Sequence, residues 1–314
     1  MSNLLVFPGQ GSQFVGMGKS FSENFKVSKN VFEEVNESLS LNLTKIMWDG
    51  ELSELTKTEN AQPALMAVSI AILKAIESEV GINYDKIAFM AGHSLGEYSA
   101  LVAANSLKLN VAAKLLKIRG QSMQKAVPIG QGSMAAIIGA SIEQVENLII
   151  EINGVYPENI CGIANDNAPG QVVVSGHTIS IDKVIELASD FGSRKAIKLP
   201  VSAPFHCSLM SKAAEEMMEA FSEISMQDPT IPIISNITAE SETSKEKIVE
   251  LLIEQVTGRV RWTETILFAK DNNVNTICEI GAGKVLSGLV RRIDATLNTI
   301  SIDDPSQIDN FKLN

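Results

Sequence analysis

The pentapeptide Gly92-His93-Ser94-Leu95-Gly96 constrains this chain more than any other stretch. It fits the nucleophile-elbow pattern G-x-S-x-G, in which a serine stands on a sharp turn between a strand and a helix. Its flanks agree with that pattern. Lys86 to Ala91 is a short, mostly apolar run of strand length, and Leu95 to Ala104 is rich in Ala and Leu and free of Pro. Glycines on both sides let the backbone bend and a substrate approach. A helix start behind the serine offers unpaired N–H groups and a positive dipole end to a developing oxyanion.

The remaining periodicity supplies a frame for the elbow. Leu4 to Phe7 reads as a buried strand entering the turn Pro8-Gly9-Gln10-Gly11-Ser12-Gln13. Helical spacing follows over 20–35 and 62–79, the second with Pro63 near its first turn and Gly81 as a stop, and again over 111–127, where Pro128 ends it. From Gly130 the texture changes. Strand-like runs at 133–139, 159–164, 171–175 and 195–199 alternate with helical runs at 142–152 and 181–191. That order, βαββαβ, is the split βαβ of a ferredoxin-like unit. Beyond it come helical spacing at 209–224, 245–255, 263–272 and 285–293, and strands at 231–235 and 276–280.

At 314 residues the chain exceeds the usual single-domain size. We therefore expect an α/β fold: a large domain with a mostly parallel sheet, 1–129 and 200–314, and a small ferredoxin-like domain inserted at 130–199.

The formal charge of −11 argues against nucleic acid, whose phosphates demand a basic footprint. Cys161, Cys207 and Cys278 are odd in number and far apart, as free thiols of a reducing cytosol would be. Met1-Ser2-Asn3-Leu4 has no basic region ahead of an apolar one, and no unbroken apolar run reaches membrane-spanning length. The expectation is a cytoplasmic protein with no membrane partner.

A serine nucleophile needs a base, and there are three histidines. His93 lies inside the elbow and reads as structural; His177, in Ser-Gly-His-Thr, reads as an exposed turn. His206 closes the segment Pro200-Val201-Ser202-Ala203-Pro204-Phe205-His206, which its prolines hold extended. Elimination favours His206 as the base, against a surface histidine capping the next helix. No acid between Ser94 and His206 stands out, so a dyad with its histidine oriented by a carbonyl fits better than a full triad. Arg119 falls in the middle of the apolar arc of its helix, away from Lys114, Lys117 and Lys125. It is either half of an internal ion pair or a fork awaiting a substrate carboxylate. Gly9-Gln10-Gly11 lacks the third glycine of a dinucleotide fingerprint, because Phe14 stands there. Met210, Met217 and Met218 read as core packing, and Arg194-Lys195 and Arg291-Arg292 as solvated charges or a local docking patch.

Taken together, several segments resemble the malonyl-CoA:acyl carrier protein transacylases, within the acyltransferases of fatty acid and polyketide synthesis. They are Phe7-Pro8-Gly9-Gln10-Gly11-Ser12-Gln13, Gln62-Pro63-Ala64-Leu65, Gly92 to Tyr98, Arg119-Gly120, Pro169 to Val173, Pro204-Phe205-His206, Arg261-Trp262 and Glu279 to Leu286. Ala282 stands where that family often has Pro. The resemblance implies Ser94 as nucleophile, His206 as base and Arg119 as partner of a malonyl carboxylate. It implies an oxyanion hole from the backbone N–H groups of Leu95 and Gln10, and Gln255 orienting His206 through its carbonyl. It further implies ping-pong transfer from a coenzyme A thioester to acyl carrier protein, with no metal or cofactor. The implied base titrates near ~6.5 if its imidazole is unperturbed, so the rate should fall below that pH. Rival readings are a polyketide acyltransferase, a thioester hydrolase and a non-catalytic carrier-binding scaffold.

Overall fold

Leu4, Leu5, Val6 and Phe7 are all fully buried, so β1 (Ser2–Phe7) is covered on both faces and occupies the middle of a sheet. Alternate residues feed opposite cores: Leu5 and Phe7 join the largest apolar cluster, Leu4 and Val6 a second one behind the sheet. This computed structural model describes residues 2–201 and 203–311. Met1 of the N-terminal reading and Ser202 of the proline-held segment lie outside them.

From β1 the chain passes through α1 (Lys19–Asn24), α2 (Lys26–Leu39), α3 (Leu43–Asp49), α4 (Leu52–Thr56) and α5 (Thr58–Glu79). The elbow strand β2 (Ile87–Gly92) leads into α6 (Gly96–Ala103) and then α7 (Leu109–Lys125). Next come β3 (Gly132–Ile138), α8 (Ile142–Val155), β4 (Cys161–Ala168), β5 (Gln171–His177), α9 (Thr178–Leu187) and β6 (Lys195–Lys198). The chain then forms α10 (Ser211–Ser222), β7 (Ile233–Ile234), β8 (Ser241–Glu242), α11 (Lys245–Gln255) and β9 (Val260–Arg261). It closes with α12 (Trp262–Asp271), β10 (Val274–Ile280), α13 (Val285–Ile293) and β11 (Asn298–Ile302).

The described residues form two mixed sheets in an α/β fold. The first has the order β11-β10-β1-β2-β7-β8, parallel except for the β7–β8 pair. The second has the order β6-β3-β5-β4-β9, antiparallel except where β9 joins β4. The second sheet carries its own apolar core, in which Ala135, Ile137, Val172 and Val174 meet Val145, Leu148, Ile152, Ile181 and Val184 of α8 and α9.

Several expectations are revised. The helix expected over 20–35 is two helices, because Phe25 takes an extended conformation (φ −128°, ψ 118°) and packs against Phe21 and the main core. That contact overrides local propensity. Helix α5 begins at Thr58, so Pro63 lies inside it and not at its first turn. Helices α3 and α4 and strands β8, β9 and β11 carry no clear periodic signal in the sequence. Met218 is 55% exposed, unlike the buried Met210 and Met217, so it does not pack in the core. By length and composition α5 could cross a membrane, yet 83% of its apolar window is buried inside the protein. Its apolar character comes from serving the core from all sides.

Candidate active site

The elbow is forced by close packing of backbone on backbone. A Cβ on Gly92 would lie 1.8 Å from the carbonyl carbon of Gly96, and one on Gly96 would lie 2.2 Å from the oxygen of Phe7. With both positions restricted to glycine, β2 ends and α6 starts within four residues, and Ser94 is left at φ +52°. Only a few per cent of non-glycine residues sit in this region, and strain there is held by the surroundings. Asn236, just past β7, does the holding. Its Oδ1 accepts from the Ser94 amide at 2.8 Å, and its Nδ2 donates to Gly92 O at 2.7 Å.

His206 reaches the serine from the other side. It too has a left-handed backbone (φ +58°), and its Nε2 lies 2.8 Å from Ser94 Oγ. Its Nδ1 lies 2.8 Å from the backbone oxygen of Gln255. A carbonyl only accepts, so Nδ1 carries the hydrogen and Nε2 presents a lone pair to the serine hydroxyl. The ring is buried, and burial together with the nearby Arg119 charge pushes the imidazole down to about 3. It therefore stays neutral well below the ordinary range. The fall in rate expected near pH 6.5 for an unperturbed imidazole therefore moves to lower pH as a prediction.

Arg119 occupies the apolar face of α7, as its place in the helical arc anticipates, and is 1% exposed. Gly120 lets α7 close on α5: a Cβ there would come within 2.6 Å of the Glu59 Cα. That approach brings Arg119 to Gln62. Its Nη1 donates to Gln62 Oε1 at 2.8 Å, and its Nη2 donates to Gln255 Oε1 at 2.9 Å and to Ser94 Oγ at 3.2 Å. The buried Nε has no partner. Among the described residues Arg119 makes no ion pair; the arginines that do are Arg259 and Arg261. Of the two alternatives for this residue, the internal salt bridge is absent from the described residues.

Ser94, His206 and Arg119 line one cavity of about 350 Å³, walled by Gln10 and Leu95 on the first sheet's side and by Met134, Ala136 and Val173 of the second sheet. Neither the Leu95 nor the Gln10 backbone N–H has a protein acceptor among the described residues. The Gln10 side chain touches Thr58 at 3.4 Å. Gln255 serves the site twice, with its backbone oxygen on His206 and its side chain on Arg119. The other histidines stand apart from Ser94 Oγ. His93 pairs with Asn167 Oδ1 at 2.8 Å beside Trp262, and His177 ends β5 and is half-buried, not an exposed turn. Cys161, Cys207 and Cys278 are free, buried thiols. Among the described residues no group of three His, Cys, Asp or Glu could hold a metal ion.

Sequence reasoning missed one acid. Glu97, 2% exposed in the first turn of α6, accepts from Gln255 Nε2 at 2.7 Å and from the Asn236 amide at 3.2 Å. It does not bond to His206. The signal was present: a lone acid directly after the elbow, in a helix otherwise built of small and apolar residues. Asn236 and Gln62 were missed as braces because an amide pairing across the fold leaves no periodic trace.

A serine–histidine pair on an elbow, between a mostly parallel sheet and a smaller antiparallel one, is the arrangement that acyl chemistry through a serine ester requires. Residues 4–299 match the acyl transferase domain family, and the chain belongs to it. It is 44% identical over 304 residues to the malonyl CoA-acyl carrier protein transacylase of Bacillus subtilis, covering 97% of this chain and 94% of that protein. The crystal structure of an acyl-carrier-protein-S-malonyltransferase from Bartonella henselae superposes with a TM-score of 0.95 at 47% identity, covering 99% of this chain and 98% of the other. A malonyl-transacylase solved in complex with its type II PKS acyl-carrier protein superposes at 0.94 and 36% identity, with 99% and 98% covered.

Proposed function

We propose that this protein moves a malonyl group from malonyl-CoA to the phosphopantetheine thiol of an acyl carrier protein, through a malonyl ester on Ser94, in fatty acid biosynthesis. One observation carries the reading: Arg119 Nη2 stands 3.2 Å from Ser94 Oγ. In a malonyl group a single methylene separates the reacting carbonyl from the free carboxylate. The group that recognises the carboxylate must therefore stand beside the nucleophile, and this guanidinium does. The relatives named above are malonyl transferases, and one is solved with a carrier protein, which supports the same substrate and partner.

In the reaction, Ser94 Oγ attacks the thioester carbonyl while His206 Nε2 takes its proton. The Leu95 and Gln10 N–H groups receive the developing oxyanion, and they are free to do so. His206 returns the proton to the departing coenzyme A thiolate. The carrier thiol then attacks the ester by the reverse sequence. The Gln255 oxygen keeps the imidazole in the tautomer that accepts at Nε2. Exchange between thioester and oxygen ester needs neither a redox group nor a metal, and we invoke none. An acetyl group would offer the buried Arg119 charge no carboxylate and so forgo a charge-assisted pair worth about 1.5–3 kcal/mol.

We read 1–129 and 200–314 as a hydrolase-like catalytic domain and 130–199 as a ferredoxin-like insert. The sheet order β6-β3-β5-β4 around α8 and α9 supports the second part, with β9 lent by the catalytic domain. Three free buried thiols suit a cytoplasmic protein. The deciding experiment is intact-mass analysis after mixing with malonyl-CoA. Wild type should gain one malonyl group and Ser94→Ala none. Steady release of free malonate without carrier protein would instead make the protein a hydrolase.

A further inference from the structure

Arg119 is a buried cation whose hydrogen-bond partners are all neutral: Gln62, Gln255 and Ser94. A guanidinium so placed is costly unless some negative charge lies near. The nearest acid by hydrogen bonds is Glu97, one amide away. The Gln255 side chain bridges them, its Oε1 accepting from Arg119 Nη2 at 2.9 Å and its Nε2 donating to Glu97 Oε2 at 2.7 Å. This spacing compensates the cation in part while leaving its cavity side open. Glu97 has no Lys or Arg in direct contact among the described residues, and Arg119 is the charge it feels.

Burial pushes the Glu97 carboxyl up to about 7, against the pull of its two hydrogen bonds and of Arg119. Near neutral pH it is therefore close to changing form. The neighbouring groups are not. Tyr98, beside it on α6, is pushed above its ordinary range by burial and stays neutral. His206 and His93, on the flanking loops, are both held down by burial and also stay neutral.

We propose that Glu97 is the resident counter-charge of Arg119, acting through Gln255, and that it yields this role by taking up a proton when an acyl group bearing its own carboxylate enters the cavity. The inference rests on the reading of Arg119 as the carboxylate clamp. Glu97 is a positioning residue in this scheme, since it touches neither substrate nor reacting atoms. The balance is simple: one solvent proton converts the carboxylate to the acid as the substrate carboxylate arrives, and the summed charge around the guanidinium is unchanged. An acetyl group brings no charge and leaves Glu97 as it was.

The test measures binding without turnover, on the Ser94→Ala protein. Malonyl-CoA and acetyl-CoA are titrated calorimetrically at pH 8 in two buffers of different ionisation enthalpy. The coenzyme A phosphates are common to both ligands and cancel in the comparison. Malonyl-CoA should take up more than about half a proton in excess of acetyl-CoA, the amount that linkage assigns to a carboxylate mostly ionised before binding and mostly protonated after it. In Ser94→Ala/Glu97→Gln that excess should vanish, because the amide oxygen still accepts from Gln255 and Asn236 but carries no charge. No excess in the first protein, or an undiminished excess in the second, overturns the proposal. Equal affinity for the two ligands would instead sink the clamp itself, a distinguishable result. Should the double variant fail to fold, wild type decides: the malonyl-to-acetyl ratio of kcat/KM should fall threefold or more between pH 6 and 8.5, and a flat ratio overturns the idea.

Discussion

The two walls of the cavity are built in opposite ways. The elbow wall is backbone: Gly92, Ser94 and Gly96 lie within five residues, and their positions are set by contact with Phe7 and Asn236. The facing wall is side chain: Gln62, Arg119 and His206 come from three segments of the chain and are tied together by hydrogen bonds, with Gln255 behind them bonded to both Arg119 and His206. A wall of packed backbone has little tolerance, because a single added methyl has no room. A wall of bonded side chains loses function in graded steps, one partner at a time.

That contrast can be broken most forcefully at Gly96. Gly96→Ala would drive a methyl into the Phe7 carbonyl, and we expect a loss of about 4 kcal/mol or more in chemical denaturation. A midpoint equal to wild type would show that the elbow is not held by backbone contact. Next in size is Arg119→Ala on the facing wall. Malonyl kcat/KM should drop roughly 100- to 1000-fold while acetyl is little changed, and folding stability should not collapse, since a costly buried charge is removed. Loss of both substrates in equal measure would mean that the arginine is structural.

The pH response sharpens the comparison further. With His206 pushed down to about 3, it keeps its lone pair as pH falls, so kcat/KM with acetyl-CoA should show no inflection between pH 7 and 5. Its stability effect has the opposite reach. The unfolded chain binds a proton at His206 from about 6.5 downward, the folded one only near 3, so conformational stability should fall across that window. A melting temperature unchanged from pH 7 to 4 would contradict this. The smallest effect is expected for Gln62→Ala. It removes one acceptor of Arg119 and leaves Gln255 in place, so malonyl turnover should fall only about tenfold.

How far the site could be read from the chain follows the same division. The elbow was legible because glycine spacing, a strand-length run and a helix-forming run all lie within twenty residues. His206 was reached by elimination, and Arg119 because one cation broke an apolar arc. Gln62 and Asn236 were not assigned roles, since an amide that pairs across more than fifty positions has no local signature; Glu97 had one, a lone acid directly after the elbow, but its partners Gln255 and Asn236 lie far along the chain. The fold divides likewise. Long periodic helices such as α7 and α8 were found, whereas the break at Phe25 and the short strands β8 and β9 depend on contacts with distant parts of the chain.

Local backbone physics therefore determined, from sequence alone, that a strained serine would stand at the head of a helix in an α/β protein. Only the assembled fold decided what that serine faces. Hydrogen bonds and buried charge act through space and not along the chain. The neutral imidazole, the guanidinium held by neutral partners and the acid one amide behind it acquired their states when folding excluded water from around them.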